Sequence, residues 1–117
     1  LIALEPGERP MWAALKIAAA QGDDMLVPST ALAQVWRGGA SQAQLARALQ
    51  HCVIAGFDAI AKGVGELCAR TRTRDICDAH VALIASTEAQ VLYTSDPEDM
   101  RRLLRAAGRR RPVIINC

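Results

Sequence analysis

Apolar residues fall in short, uninterrupted runs: Met25-Leu26-Val27, Cys52 to Phe57, Val91-Leu92-Tyr93 and Val113-Ile114-Ile115. Longer amphipathic segments separate them. Runs this short suit strands buried on both faces, where every side chain meets apolar surroundings. Strands that alternate with helices are joined by crossovers, which make neighbouring strands parallel. The fold class is therefore α/β, with a mostly parallel sheet. In such folds, sites form outside the carboxyl ends of the strands.

The intervening segments read as helices. Leu1 to Glu5 is a helix fragment ended by Pro6-Gly7, and Pro10 to about Ala20 is helical. Gly22-Asp23-Asp24 makes a turn. Ser29 or Thr30 is placed to cap a helix to Trp36, stopped by Gly38-Gly39, and Gln42 to Leu49 is another. Asp58 opens a helix whose apolar residues Ile60, Val64, Leu67 and Cys68 follow helical spacing. The segment from about Asp75 to Ser86 is apolar all round its body, which predicts burial. Pro97 suits the first turn of a last helix, with Met100, Leu103, Leu104 and Ala107 on one face. Gly63 and Gly65 lie inside a helix pattern, so they do not form a phosphate-cradling loop. A chain of 117 residues fits one domain, residues 1–117.

Net charge is only +2, yet six arginines lie between Arg101 and Arg111. Such a cluster can meet phosphates or an acidic partner, or form a solvated helix face. Cys52, Cys68, Cys77 and Cys117 include no CxxC pair, so free thiols in a reduced, cytoplasmic protein are expected. No apolar run is long enough to span a membrane.

Two places concentrate acids. Asp75 and Asp78 stand three apart at the start of the buried helix, where its N-terminus favours negative charge. One acid would satisfy a cap; two exceed that need. Asp96 directly follows the strand Val91–Tyr93, with Asp99 behind it. Asp96 also has the place of an N-cap, with Asp99 as its capping partner. Asp78 and Asp96 converge above the same end of the sheet. Converging carboxylates repel unless a cation lies between them. Oxygen ligands favour Mg²⁺ or Mn²⁺ over zinc, and such ions activate water and support displacement at phosphorus.

Three stretches resemble the PIN-domain ribonucleases of the VapC toxin type: Val27-Pro28-Ser29-Thr30-Ala31-Leu32-Ala33-Gln34-Val35-Trp36-Arg37-Gly38-Gly39, Thr73-Arg74-Asp75-Ile76-Cys77-Asp78-Ala79-His80-Val81-Ala82, and Leu92-Tyr93-Thr94-Ser95-Asp96-Pro97-Glu98-Asp99. Their order and spacing resemble the family over nearly the whole chain. The resemblance implies a three-layer α/β/α domain, Mg²⁺ or Mn²⁺ held by three or four acids, RNA cleavage, a cognate antitoxin, and often a homodimer. The helix acid maps onto Asp78, with Asp75 added; the acid after the next strand maps onto Asp96, with Asp99 behind it.

Two departures accompany the resemblance. The family's first aspartate ends a central strand that would precede Leu1, so the Met25–Val27 and Val91–Tyr93 strands are expected to flank a gap. The family's glutamate in the helix after Pro28 is here Gln34, which can orient water but adds no negative charge. Arg37, Arg72 and Arg74 flank the expected cleft and are candidates for holding RNA phosphates. Cys77 and His80 lack further soft ligands, which argues against zinc. The expected function is a metal-dependent endoribonuclease toxin. The alternative is an inactive protein of the same fold that binds an antitoxin or RNA without cutting.

Overall fold

A computed structural model describes residues 25–88, 91–94, 96–108 and 111–116. The readings at Leu1–Glu5, Pro10–Ala20, Gly22-Asp23-Asp24, Ser95 and Cys117 lie outside them. The elements run β1 (Met25–Pro28), α1 (Ser29–Val35), a 3-10 turn (Ala40–Gln42), α2 (Ala43–Leu49), β2 (Cys52–Ala55), a second 3-10 turn (Asp58–Ile60), α3 (Ala61–Thr71), α4 (Ile76–Glu88), β3 (Val91–Thr94), α5 (Pro97–Ala107) and β4 (Val113–Asn116). This is an α/β chain with short parallel strands.

Strand pairing is parallel throughout, as the crossover segments require. β1 pairs with β2, Met25 opposite Cys52, and β3 pairs with β4, Val91 opposite Val113. Among the described residues the strands form two separate pairs, and β1 is not bonded to β3, in agreement with the gap expected between the Met25–Val27 and Val91–Tyr93 strands. Burial on both faces also fails in places. Val53, Ile54, Val91, Val113 and Ile115 are exposed, so the described helices cover these strands only in part.

The core gathers around α4, which packs against α1, α3, α5 and β1. Val64 and Leu67 from α3, Ala79, Ala82 and Ala85 from α4, Leu92 from β3, and Met100, Leu103 and Leu104 from α5 form one cluster. Small alanines on α4 let its neighbours approach closely. A Cβ on Gly63 of α3 would stand 3.1 Å from Leu83 Cδ2 on α4, so this glycine serves helix packing.

Several local readings change in detail. α1 begins at Ser29 after Pro28 and has no side-chain cap. Thr30 instead bonds His80 Nδ1 at 2.7 Å. The chain leaves α1 through Gly38 and Gly39, both at positive φ. The Gln42 carboxamide secures this exit: its Oε1 accepts from the Arg37 and Gly38 N–H groups, and its Nε2 donates to Val35 O. Asp58 does not cap its 3-10 turn.

Candidate metal site

The site is built from two helix starts. Asp75 immediately precedes α4, and its Oδ1 accepts the Asp78 N–H at 2.9 Å. One oxygen of Asp75 thus performs the capping that the helix needs. Asp78, in the first turn of α4, is left with no capping task.

Asp78 is half-buried, and its carboxyl is pushed from its ordinary 3.8 up to about 6. Burial is the largest cause. The charge of Asp75 and a hydrogen bond with it follow, and then the charges of Asp96 and Asp99. All four acids foreseen from the sequence therefore act on one another electrostatically. Asp99 is fully exposed, and it too is raised, first by a hydrogen bond with Asp96 and then by that group's charge. The Arg102 charge opposes this shift. Among the described residues the one salt bridge is Arg101–Glu98; none involves these four acids.

Asp96 does not act as the side-chain cap that its place before Pro97 implies. It is the N-cap residue of α5 but makes no side-chain cap bond. Its N–H donates to Thr94 Oγ1 at 3.0 Å, and its carbonyl accepts the Met100 N–H. The Asp96 carboxylate remains available beside Asp99.

Among the described residues, ligand atoms of Asp75, Cys77 and Asp78 lie within 4.8 Å of one another. Asp96 and Asp99 stand outside that set. Cys77 is the member that the sequence reading weighed with His80 and set aside for lack of further soft ligands; the ligand atoms it joins are the two carboxylates instead. Its thiol donates to Gln34 Oε1 at 3.3 Å, which brings the α1 residue to the edge of the acid cluster. Burial, together with the charges of Asp78 and Asp75, raises the Cys77 thiol, against a hydrogen bond with Thr30 that lowers it. Cys77 therefore rests as a neutral thiol at pH 7.

His80 takes no part in a metal set. It is fully buried; Nδ1 meets Thr30 Oγ1, Nε2 meets Gly56 O at 3.2 Å, and Phe57 packs edge-on with ring centres 5.3 Å apart. It ties α4 to α1 and to the turn after β2. Of the three candidate RNA-binding arginines, Arg37 spends its guanidinium on Ala33 O and Trp36 O at the end of its own helix. Arg72 is the left-handed residue that ends α3, with φ 57°. Arg74, exposed and next to Asp75, keeps an unbonded side chain among the described residues.

Two hard carboxylates with two more acids nearby fit a divalent cation. A thiolate would favour softer ions such as zinc, but the Cys77 thiol is raised and donates to Gln34, which leaves the carboxylates as the ligands. No helix among the described residues is long and apolar enough to cross a membrane. Compared with protein-family models, with curated proteins and with solved structures, the chain matches none.

Proposed function

We propose that the protein is a metal-dependent endoribonuclease of the PIN type, acting as a cytoplasmic toxin restrained by a cognate antitoxin. The observation that carries this reading is Asp78. It is a half-buried acid, free of capping duty, whose carboxyl is raised by burial and by Asp75, Asp96 and Asp99. Holding Asp75 and Asp78 side by side, with the charges of Asp96 and Asp99 near enough to act on Asp78, is costly unless a cation joins them.

Asp75 and Asp78 would hold Mg²⁺ or Mn²⁺, with Asp96 and Asp99 completing the negative shell. When bound, the ion would lower the pKa of water and offset charge on the phosphodiester. The chain's own groups orient and charge the site. Asp75 keeps Asp78 in place through the cap, and Gln34 presents an amide at the rim. Arg74 is placed to meet a phosphate beside the acids.

A second reading has one specific observation behind it. Gln34 and Cys77 bond to each other, so α1 adds no negative charge, and the site would be weaker than four carboxylates in direct contact. In that case the fold binds an antitoxin or RNA without cutting. The discriminating experiment incubates the protein with single-stranded RNA and Mn²⁺ or Mg²⁺, alongside Asp78→Asn and Asp96→Asn. Cation-dependent cleavage lost in both variants supports the enzyme. Cation binding and RNA binding without cleavage support the second reading.

A further inference from the structure

At the other end of α5 lies a feature that the acid site does not use. Arg101, Leu104 and Arg105 of α5 and Arg111, Pro112 and Ile114 around the start of β4 line a groove of about 280 Å³. β3 and β4 are parallel, so the residues before β4 sit at the opposite end of that pair from Asp96. Eleven residues of α5 at 1.5 Å each separate the two ends by roughly 16 Å.

The groove has an apolar floor and a cationic rim. Leu104 and Pro112 are buried, and Ile114 is half-buried. Arg101 is held by Glu98 at 2.8 Å. Arg105 and Arg111 are exposed and have no hydrogen bond or ion pair among the described residues. Unpaired guanidinium groups repel one another across a small groove, and a carboxylate can satisfy them in a bidentate way.

We propose that this groove docks an acidic protein segment that seats an aliphatic side chain on Leu104, Pro112 and Ile114 while its carboxylates engage Arg105 and Arg111. The apolar floor favours a peptide over a nucleic acid. Among the described residues none of the lining is aromatic, whereas single-stranded RNA is gripped by stacking as well as by charge. An anchored apolar side chain ringed by charge pairs is how compact protein contacts gain both affinity and direction.

The test uses the full chain and a fluorescein-labelled twelve-residue peptide of alternating glutamates and leucines, followed by anisotropy. Controls replace every leucine with serine, or every glutamate with lysine; a labelled single-stranded RNA 12-mer is titrated in parallel. The double variant Arg105→Glu with Arg111→Glu changes two exposed side chains, and circular dichroism checks its fold. Arg105→Lys with Arg111→Lys keeps the charge. Expected are saturable binding of the glutamate–leucine peptide, a loss of about tenfold or more on charge reversal or on leucine removal, and a smaller loss with the lysines. RNA binding should be insensitive to charge reversal. The proposal is overturned if the peptide fails to bind, if charge reversal leaves its affinity unchanged, or if RNA displaces the peptide and loses its own affinity in the reversed variant.

Discussion

Replacing Asp78 with Asn should stabilise the metal-free protein while abolishing its cation-dependent chemistry. The carboxyl of Asp78 is raised from 3.8 to about 6, so its ionised form is disfavoured in the folded state. At face value this rise of roughly two pH units corresponds to about 3 kcal/mol at neutral pH. Asp78 is only half-buried, and solvent screening reduces that to about 1 kcal/mol. The sign follows from linkage. A carboxyl raised by folding leaves the unfolded chain with fewer protons, so stability is highest below pH 3.8 and is lost as pH rises toward 6. The asparagine variant lacks this loss. Urea unfolding without metal should thus show the two proteins alike near pH 4 and the variant ahead by about 1 kcal/mol at pH 7.5, near 4 °C in melting temperature. Adding Mn²⁺ to 100 times its dissociation constant stabilises the wild type by about 2.7 kcal/mol and reverses the order. A variant less stable than wild type without metal, or a wild type unmoved by Mn²⁺, would refute the reasoning.

Asp75 caps α4 through Oδ1, so Asp75→Ala should cost about 1 kcal/mol in chemical unfolding, whereas Asp75→Asn, which keeps the cap, should cost little; equal losses would remove the cap from the account. Arg72 ends α3 at positive φ, and Arg72→Gly should raise stability by about 0.5–1 kcal/mol. His80→Ala opens the buried junction among Thr30, Gly56 and Phe57 and should cost about 2–4 kcal/mol. Burial depresses the His80 ring despite its bond to Gly56, so its contribution is full above pH 6.5 and is lost on acidification below that; His80→Gln should flatten this part of the stability–pH curve. Thiol titration of denatured protein, kept from oxidising and without added reductant, should find four groups, since Cys52, Cys68 and Cys77 are free and the sequence holds four cysteines; a count of two would contradict it.

That the strands pair in parallel was legible in the alternation of apolar runs with helical segments, though not which strand meets which. So was the core face of α5, because Met100, Leu103 and Leu104 repeat at helical spacing. The lack of bonding between β1 and β3 among the described residues was expected from the resemblance alone; apolar periodicity reports burial and says nothing of which edges meet. The acids were visible as helix-start carboxylates, but which one would cap depended on backbone geometry. Asp75 bonds the Asp78 N–H, whereas Asp96 in the equivalent place caps nothing with its side chain. Cys77 was weighed as a metal ligand and set aside for lack of soft partners; its bond to Gln34, and those of His80 to Thr30 and Gly56, join residues 24 to 50 apart in sequence, and local pattern carries no trace of such contacts.

Calorimetric titration of Mn²⁺ into the metal-free protein and into Asp78→Asn, each at pH 5 and pH 7, tests the central claim most directly. A saturable site is expected in the wild type that tightens from pH 5 to pH 7 as Asp78 loses its proton, with loss of most of that affinity at both pH values in the variant. Equal affinity in the two proteins, or wild-type binding that does not change between pH 5 and pH 7, would contradict it.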